Sequence, residues 1–406
     1  MINIIGLGYI GLPTALMFAK SGVKVVGTDT NKTLINSLNN SKLTFEEKGM
    51  DKLFKDAICN GIEFTTEYQK TNIYIIAVPT PYDKKNNKLN SKYIISALNN
   101  VLDICSSDTI IIIESTVSPG TIDMYIRPEL KKKGFIDGKD IHLVHAPERI
   151  IPGNMIYELQ NNSRTIGVDN KKIGQKVKEL YSAYCEAEII ITDIRSAEMS
   201  KVVENTYRDV NIAFANELAK ICRTDDLDVY EIIRIANKHP RVNILQPGPG
   251  VGGHCISVDP WFLVGDYPDL TRLILTARKI NDSMPSHVLT RIRDIMREHN
   301  LNDLSKVGVY GLTYKENVDD IRESPSLQLL DKMDNHLAFG VKVYDPFVKE
   351  QIVDNQYMNF ENFIKEVEIV VIMVAHDHIK KNMNYIQDKL ILDTKNICSL
   401  TTAYRL

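Results

Sequence analysis

Short apolar runs separated by mixed polar stretches organise the first 170 residues of the chain. Residues 2–5, 23–29, 72–78, 109–114 and 141–145 are each largely apolar for about the length of a strand covered on both faces, and 163–168 is a further, more polar candidate. Helical spacing fills the gaps between them, which predicts a parallel, doubly wound α/β sheet. From Ala197 to Ile235 the pattern turns helical with few breakers. Lys201, Asn205, Ile212 and Asn216 fall near one stripe of that helix, and taken alone such a stripe reads as a solvated face. Near Ser305 the strand pattern returns, at 306–311, 341–346, 368–374 and 390–393. The predicted fold class is α/β, with two Rossmann-like doubly wound domains (1–195 and 301–406) joined by a long helical region (196–300).

Composition narrows the class without changing it. A chain of 406 residues with 44% apolar and 25% charged residues is long enough for two or three globular domains. A net charge of −3, evenly spread, gives no reason to expect a nucleic-acid or anionic-membrane partner. The apolar runs are far shorter than the ~20 residues that span a bilayer. The six cysteines include no Cys-x-x-Cys pair, so neither a disulfide framework nor a bound metal is expected. The sequence opens directly on a strand rather than on a basic and then apolar leader, and the expected location is the cytoplasm.

The first candidate site is a nucleotide turn. Residues 2–5 lead into Gly6-Leu7-Gly8-Tyr9-Ile10-Gly11, a helix follows, and the next strand ends in Asp29. Gly6 permits the tight turn, Gly8 lets the backbone approach a pyrophosphate, and Gly11 lets helix and strand pack closely. Asp29 can bond both ribose hydroxyls and would repel a 2'-phosphate, which favours NAD over NADP. Tyr9 and Ile10 lie in the same turn, and Pro79, Thr80 and Thr116 follow later strand ends that face the same crevice. Thr116 has a second reading as a helix cap before Pro119.

The second is a thiol. Cys255 stands in Gly248-Pro249-Gly250-Val251-Gly252-Gly253-His254-Cys255, with Asp259 four residues on. A lone cysteine is usually a core residue, but this setting is a loop's. A nearby cation or helix N-terminus would lower the thiol pKa and make it a nucleophile for an aldehyde. His254 beside it raises metal binding as a rival use, without the further ligands a metal needs.

These motifs occur together with Glu114-Ser115-Thr116-Val117, Pro147-Glu148-Arg149, Lys201, Asn205, Asn216-Glu217, Gly311-Leu312-Thr313-Tyr314-Lys315 and Asp320-Ile321-Arg322-Glu323-Ser324-Pro325. In that order the set resembles the UDP-glucose/UDP-mannuronate dehydrogenase family across essentially the whole chain. The resemblance implies a four-electron oxidation of a UDP-hexose at C6, with two NAD consumed. It implies that Thr116, Lys201 and Asp259 hold a water that accepts the alcohol proton, and that Cys255 captures the aldehyde and then carries a thioester. Glu148 is implied as the base for hydrolysis, Asn205 as a contact to sugar or water, and Arg322 as a cofactor contact. Arg149, Gly250, Gly252, Gly253, Tyr314 and Lys315 are implied on the substrate. Ala146-Pro147-Glu148-Arg149, Gly253-His254-Cys255 and the 237–244 segment with Arg241 look like the UDP-N-acetylhexosamine branch. Within it the resemblance favours UDP-N-acetyl-D-mannosamine, leaves UDP-N-acetyl-D-glucosamine open, and implies a homodimer serving bacterial capsule or surface polysaccharide synthesis. Two bland readings remain at this stage: Glu148 as a surface ion pair with Arg149, and Arg241 as an ordinary surface residue. A two-electron β-hydroxyacid dehydrogenase would need neither Cys255 nor a second nucleotide-like domain. A silent NAD-binding regulatory protein would be marked by loss of Lys201, Cys255 or Asp259.

Overall fold

Strand β1 (Ile2–Ile5) is buried at all four positions and pairs in parallel with β2 (Val25–Thr28) on one side. The computed structural model describes residues 1–45, 47–83, 85–335, 340–400 and 403–406. Beyond β2 lies β3 (Glu63–Thr65), and the other side of β1 takes β4 (Ile73–Ile76). A small hairpin, β5 (Tyr82–Asp83) with β6 (Lys88–Leu89), stands apart from the sheet. Then come β7 (Thr109–Ile113), β8 (Ile141–His145), β9 (Arg164–Val168) and β10 (Ile189–Thr192), giving the order β10-β9-β8-β7-β4-β1-β2-β3. With the hairpin set aside, the six strands from β3 to β8 follow the doubly wound order, whose switch point lies between β1 and β4.

One feature departs from an all-parallel sheet. Strand β9 runs antiparallel to β8, pairing Val168 with Val144 and Gly167 with His145, and β10 follows β9 in parallel. A strand pattern reports burial and carries no information on direction, so residues 163–168 read correctly as a strand and not as a reversed one. Gly167 then has a packing reason. A Cβ there would lie 2.6 Å from the Cβ of Ala197, so its absence lets the first turn of the helix Ile194–Thr224 rest on β9.

The chain forms two compact units, Met1–Glu204 and Asn205–Leu406, and the division falls inside that single helix of 31 residues. The second unit continues with helices Val229–Ala236, Asp259–Asp266 and Arg272–Glu298. It ends in strands β11 (Val307–Tyr310), β12 (Lys342–Tyr344), β13 (Gln356–Tyr357), β14 (Ile369–Ile372) and β15 (Leu390–Asp393). All pair in parallel, in the order β13-β12-β11-β14-β15. Met284, Val288, Ile292 and Ile295 of the helix Arg272–Glu298 pack with Val307 and Val309 of β11 and with Leu329 and Met333. This is the apolar face that a 3.6-residue period demands.

The helices of the second unit are also joined by a buried polar chain. Arg278 Nη1 donates to Asp209 Oδ1 at 2.6 Å, and Asn281 Nδ2 donates to the same oxygen at 2.8 Å. Asn216 Nδ2 donates to Asn281 Oδ1 at 2.9 Å, while Asn216 Oδ1 accepts the Gly248 amide at 2.8 Å. The stripe that reads as a solvated face in sequence is therefore interior: Lys201, Asn205 and Asn216 are all buried. Periodicity places residues on one face but does not say what covers it. Among the described residues, no helix is long and apolar enough to cross a membrane.

Candidate active site

Gly6 has a φ of +90°, and a Cβ on it would lie 2.7 Å from the Ala77 carbonyl oxygen. A Cβ on Gly11 would lie 1.8 Å from the Gly6 oxygen, so both glycines are required by the turn itself. Gly8 differs: nothing lies within 4 Å of a Cβ built there, which leaves the backbone open to a ligand. Tyr9 packs on Phe45 at 4.5 Å between ring centres, and Ile10 occupies the cap position of the helix Gly11–Lys20. Asp29, at the end of β2, accepts the Leu7 amide at 2.8 Å and the Asn31 amide at 2.8 Å, which fixes its carboxylate beside the turn. Pro79 and Thr80 follow β4, one exposed and one buried. This open cradle with its helix and its acid fits the pyrophosphate and ribose of a dinucleotide.

Thr116 follows β7 in a loop pinned by Ser115, whose hydroxyl donates to the Val78 carbonyl at 2.7 Å. Helix capping after that loop falls to another residue. Glu198 accepts the Gly120 amide at 2.5 Å and the Ile122 amide at 2.9 Å, and burial raises its carboxyl to about 7. Thr116 is thus not needed as a cap.

Glu148 is buried, which removes the surface-pair reading. Its partner is Arg164 Nη2, and it also accepts the backbone amide of Arg149 at 2.6 Å. The Arg149 side chain goes elsewhere, to Glu204 at 2.5 Å and Ser163 at 2.7 Å. Adjacent residues on an extended turn point apart, so the neighbour in sequence is not the partner in space. Arg164 also bonds Glu114 and the Tyr184 hydroxyl, and Tyr181 bonds Glu114; of these only Glu114 lies in a motif that the sequence singles out.

In the second unit, Cys255 is exposed, and its carbonyl accepts the amides of Val258 at 3.1 Å and Asp259 at 2.8 Å. The thiol residue therefore sits in the turn that opens the helix Asp259–Asp266. Asp259 is buried and bonded by Asn205 Nδ2, and Asn205 Oδ1 in turn accepts from Arg208. Asn205 is thereby committed to orienting Asp259, and Arg208 is a supporting residue that the sequence pattern does not single out.

The glycines of this loop have a structural use that differs from simple openness. A Cβ on Gly252 would lie 2.6 Å from the Glu323 carbonyl oxygen, and one on Gly253 would lie 2.8 Å from the Tyr314 ring. The Gly253 amide donates to the Arg322 carbonyl at 2.9 Å, and Gly250 (φ +138°) abuts Pro325. The thiol loop is therefore seated on the 314–325 segment. Arg322 is held by Asp320 through a two-pronged pair at 2.6 and 2.9 Å, and Lys315 is half-buried in the same segment. Arg241 is exposed. Burial lowers the pKa of His254, with Arg322 adding to the effect, and keeps the imidazole neutral. Among the described residues, no group of three His, Cys, Asp or Glu could hold a metal ion.

The turn after β11 imitates the first one only in part. Gly311 has a φ of +95°, like Gly6, but Thr313 stands where Gly8 does and the next helix starts only at Pro325. Asp345, the counterpart of Asp29, is buried. Its oxygens accept the amides of Leu312 at 2.6 Å and Phe347 at 2.7 Å and meet His376 at 3.2 Å. Burial would raise its carboxyl, but His376 and these amides hold it below the usual carboxylate range. Asp29 also accepts two amides but is half-buried, whereas Asp345 is fully buried against His376 and closed to a ribose, so this half does not repeat the dinucleotide turn.

An open glycine cradle at the switch point of a doubly wound sheet defines a dinucleotide-binding α/β protein. Three profiles of one family cover the chain: the NAD binding domain at 1–185, the central domain at 195–283 and the UDP binding domain at 308–400. The chain belongs to the UDP-glucose/GDP-mannose dehydrogenase family and is an NAD-dependent dehydrogenase. It is 42% identical to the UDP-N-acetyl-D-mannosamine dehydrogenase of Methanocaldococcus jannaschii, over 98% of this chain and 92% of that protein. It is 38% identical to the NDP-N-acetyl-D-galactosaminuronic acid dehydrogenase of Ralstonia nicotianae, over 98% and 96% of the two. Among solved structures it matches the UDP-N-acetyl-mannosamine dehydrogenase Cap5O from Staphylococcus aureus with a TM-score of 0.90 and 40% identity, covering 100% of this chain and 97% of that one.

Proposed function

We propose that the protein oxidises UDP-N-acetyl-D-mannosamine at C6 to the corresponding uronate in two successive two-electron steps at one site. Supporting the reaction type is an exposed thiol, Cys255, in a braced glycine loop whose helix begins with a buried, Asn-oriented carboxylate, Asp259. Supporting the sugar is full-length identity of about 40% to relatives named for N-acetylated hexosamine nucleotides. NAD, held by the Gly6–Gly11 turn and Asp29, supplies the hydride acceptor for each oxidation.

In the first oxidation the C6 hydroxyl gives up its proton to a water oriented by Thr116, Lys201 and Asp259 as a hydride leaves C6, giving an aldehyde. The Cys255 thiolate adds to that aldehyde, and the resulting alkoxide, stabilised by the Lys201 ammonium, is a thiohemiacetal. Loss of the second hydride from the carbon of that alkoxide leaves a thioester on Cys255. Glu148 takes a proton from the attacking water, the C–S bond breaks, and the uronate and the free thiol are released. Covalent capture keeps the aldehyde from escaping between the two oxidations. Asn205, by holding Asp259, orients this group. Gly250, Gly252 and Gly253, seated on the 314–325 segment, place the loop, with Tyr314, Lys315 and Arg149 toward the substrate and Arg322 toward the cofactor.

The assembly we propose is a homodimer. Tyr207, Phe214 and Ile221 are exposed at seven-residue spacing on one helix, a stripe suited to a second helix. Arg241, on an exposed segment, would then reach the partner's substrate. A UDP-activated aminouronic acid is chemically a glycosyl donor, which suits a cytoplasmic role in supplying surface polysaccharide.

A substrate comparison tests the sugar. With NAD in excess, kcat/KM should be highest for UDP-N-acetyl-D-mannosamine. UDP-N-acetyl-D-glucosamine, UDP-N-acetyl-D-galactosamine and UDP-glucose should each fall at least about tenfold lower, the worth of one well-placed polar contact. Preference for any of the other three would overturn this choice while leaving the reaction type intact.

A further inference from the structure

From Thr109 to Ile122 every residue is buried except Thr116, which is partly exposed. The chain is tethered separately on either side of it. Before Thr116, the Ser115 amide donates to the Ile76 carbonyl at 3.2 Å and the Ser115 hydroxyl to the Val78 carbonyl at 2.7 Å. After it, the chain turns at Gly120 (φ +88°) into the π-helical turn Ile122–Ile126, where the amides have no carbonyl of their own helix to bond. A side chain 78 residues away meets them: Glu198 Oε2 accepts the Gly120 amide at 2.5 Å and Oε1 the Ile122 amide at 2.9 Å. Burial raises the Glu198 carboxyl and these two amides oppose the rise. Glu198 is fully buried near the start of the helix Ile194–Thr224, and Lys201 follows one turn later. That start is itself fixed, because Ala197 rests on β9 where Gly167 leaves room for it.

A hydroxyl or amide side chain of the loop itself could satisfy such amides without burying a charge. Thr121, which stands at the cap position, instead turns its hydroxyl back to the Ser118 carbonyl at 2.6 Å. What the remote carboxylate adds is register between two elements. We propose that Glu198 is a positioning residue for the first oxidation: by holding the Gly120 and Ile122 amides from the helix of Lys201, it fixes the loop that presents Thr116 relative to that helix. This inference rests on the reading of Thr116 and Lys201 as two of the groups that orient the water accepting the C6 proton. With Ser115 anchored at the end of β4 and Gly120 anchored on Glu198, the loop between them holds two buried residues, Val117 and Ser118, and the stiff Pro119. Released from Glu198 it keeps one anchor, and a shift of about 1 Å in an oriented group is enough to slow a proton transfer by up to about a hundredfold. The second oxidation starts from an alkoxide, needs no such water and is spared.

The test compares UDP-N-acetyl-D-mannosamine with its 6-aldehyde, which enters the reaction after the step in question, by NADH formation in a single turnover. Glu198→Gln keeps the volume but can accept only one of the two amides. It should slow oxidation of the alcohol at least about tenfold while the aldehyde is oxidised within about twofold of the wild-type rate. Thr116→Ala should show the same split. Adding Glu198→Gln to Thr116→Ala should cost no more than about a further twofold, because the residue through which Glu198 acts is gone. Equal slowing of alcohol and aldehyde marks a purely structural role for Glu198 and overturns the proposal. A wild-type alcohol rate in Glu198→Gln, or losses that multiply in the double variant, overturn it as well. Glu198→Asp, shorter by one methylene, is read in the same way and carries the test if the glutamine variant does not fold. Thr116→Ala also separates the two levels of the account. Wild-type alcohol oxidation in that variant refutes Thr116 itself, whereas slow oxidation there beside an unaffected Glu198→Gln refutes only the tether.

Discussion

Cys255→Ser loses four-electron turnover by at least about a thousandfold while keeping its fold. A thiol is partly ionised near neutral pH and intrinsically nucleophilic, whereas a serine hydroxyl is neither without an adjacent base. The side chain is exposed, so exchanging sulfur for oxygen removes little packing, and stability should change by no more than about 0.5 kcal/mol. The loop is held by backbone contacts that the substitution leaves alone, namely the Gly253 amide to Arg322 and the Cys255 carbonyl to Asp259. At most one slow oxidation should survive, detected as NADH without uronate. Normal uronate formation by this variant would remove the thiol from the chemistry.

Asp209→Ala has the largest expected effect on stability. Arg278 and Asp209 are both buried, and the Asp209 carboxylate also anchors Asn281, which leads through Asn216 to the start of the thiol loop. Removing the carboxylate leaves a buried guanidinium with only the half-exposed Asp282, a loss of about 3 to 5 kcal/mol. For a unit of about this size that corresponds to a Tm lower by roughly 6 to 20 °C. Adding Arg278→Met should recover part of the loss, since the stranded charge goes with it. A Tm within about 2 °C of wild type in the single variant, read by calorimetry, would show that the network carries little.

The dinucleotide turn was legible because its requirements are local. Gly6, Gly11 and Asp29 act within one strand, turn, helix and strand, and each spacing has one geometric meaning. Cys255 was legible for a related reason, since glycines and prolines around a thiol do not describe a core strand. Direction and partnership were not legible. Residues 163–168 carry the same pattern whether β9 runs with β8 or against it. Arg164 sits between Ser163 and Thr165 with no sign that it faces Glu148, Glu114 and two tyrosines, because those partners arrive from separate elements. Glu148 beside Arg149 suggests a pair that the divergence of neighbouring side chains prevents. The interior stripe of Lys201, Asn205 and Asn216 looked solvated because a polar residue in a helix reports its face and not its cover. The glycines at 252 and 253 invited a ligand, and the space beside them belongs to Tyr314 and Glu323. In the last sheet, the strand leading to Asp345 marks the fold, and only its full burial against His376 shows that its carboxylate is closed to a ligand.

The central claim is that one site carries a sugar nucleotide through both oxidations before releasing it. Counting NADH formed per UDP-N-acetyl-D-mannosamine consumed, with limiting sugar and excess NAD, tests it most directly. The account predicts two NADH per sugar, uronate as the sole product and no aldehyde trapped by an added hydrazine. One NADH per sugar, with aldehyde recovered in the trap, would contradict it.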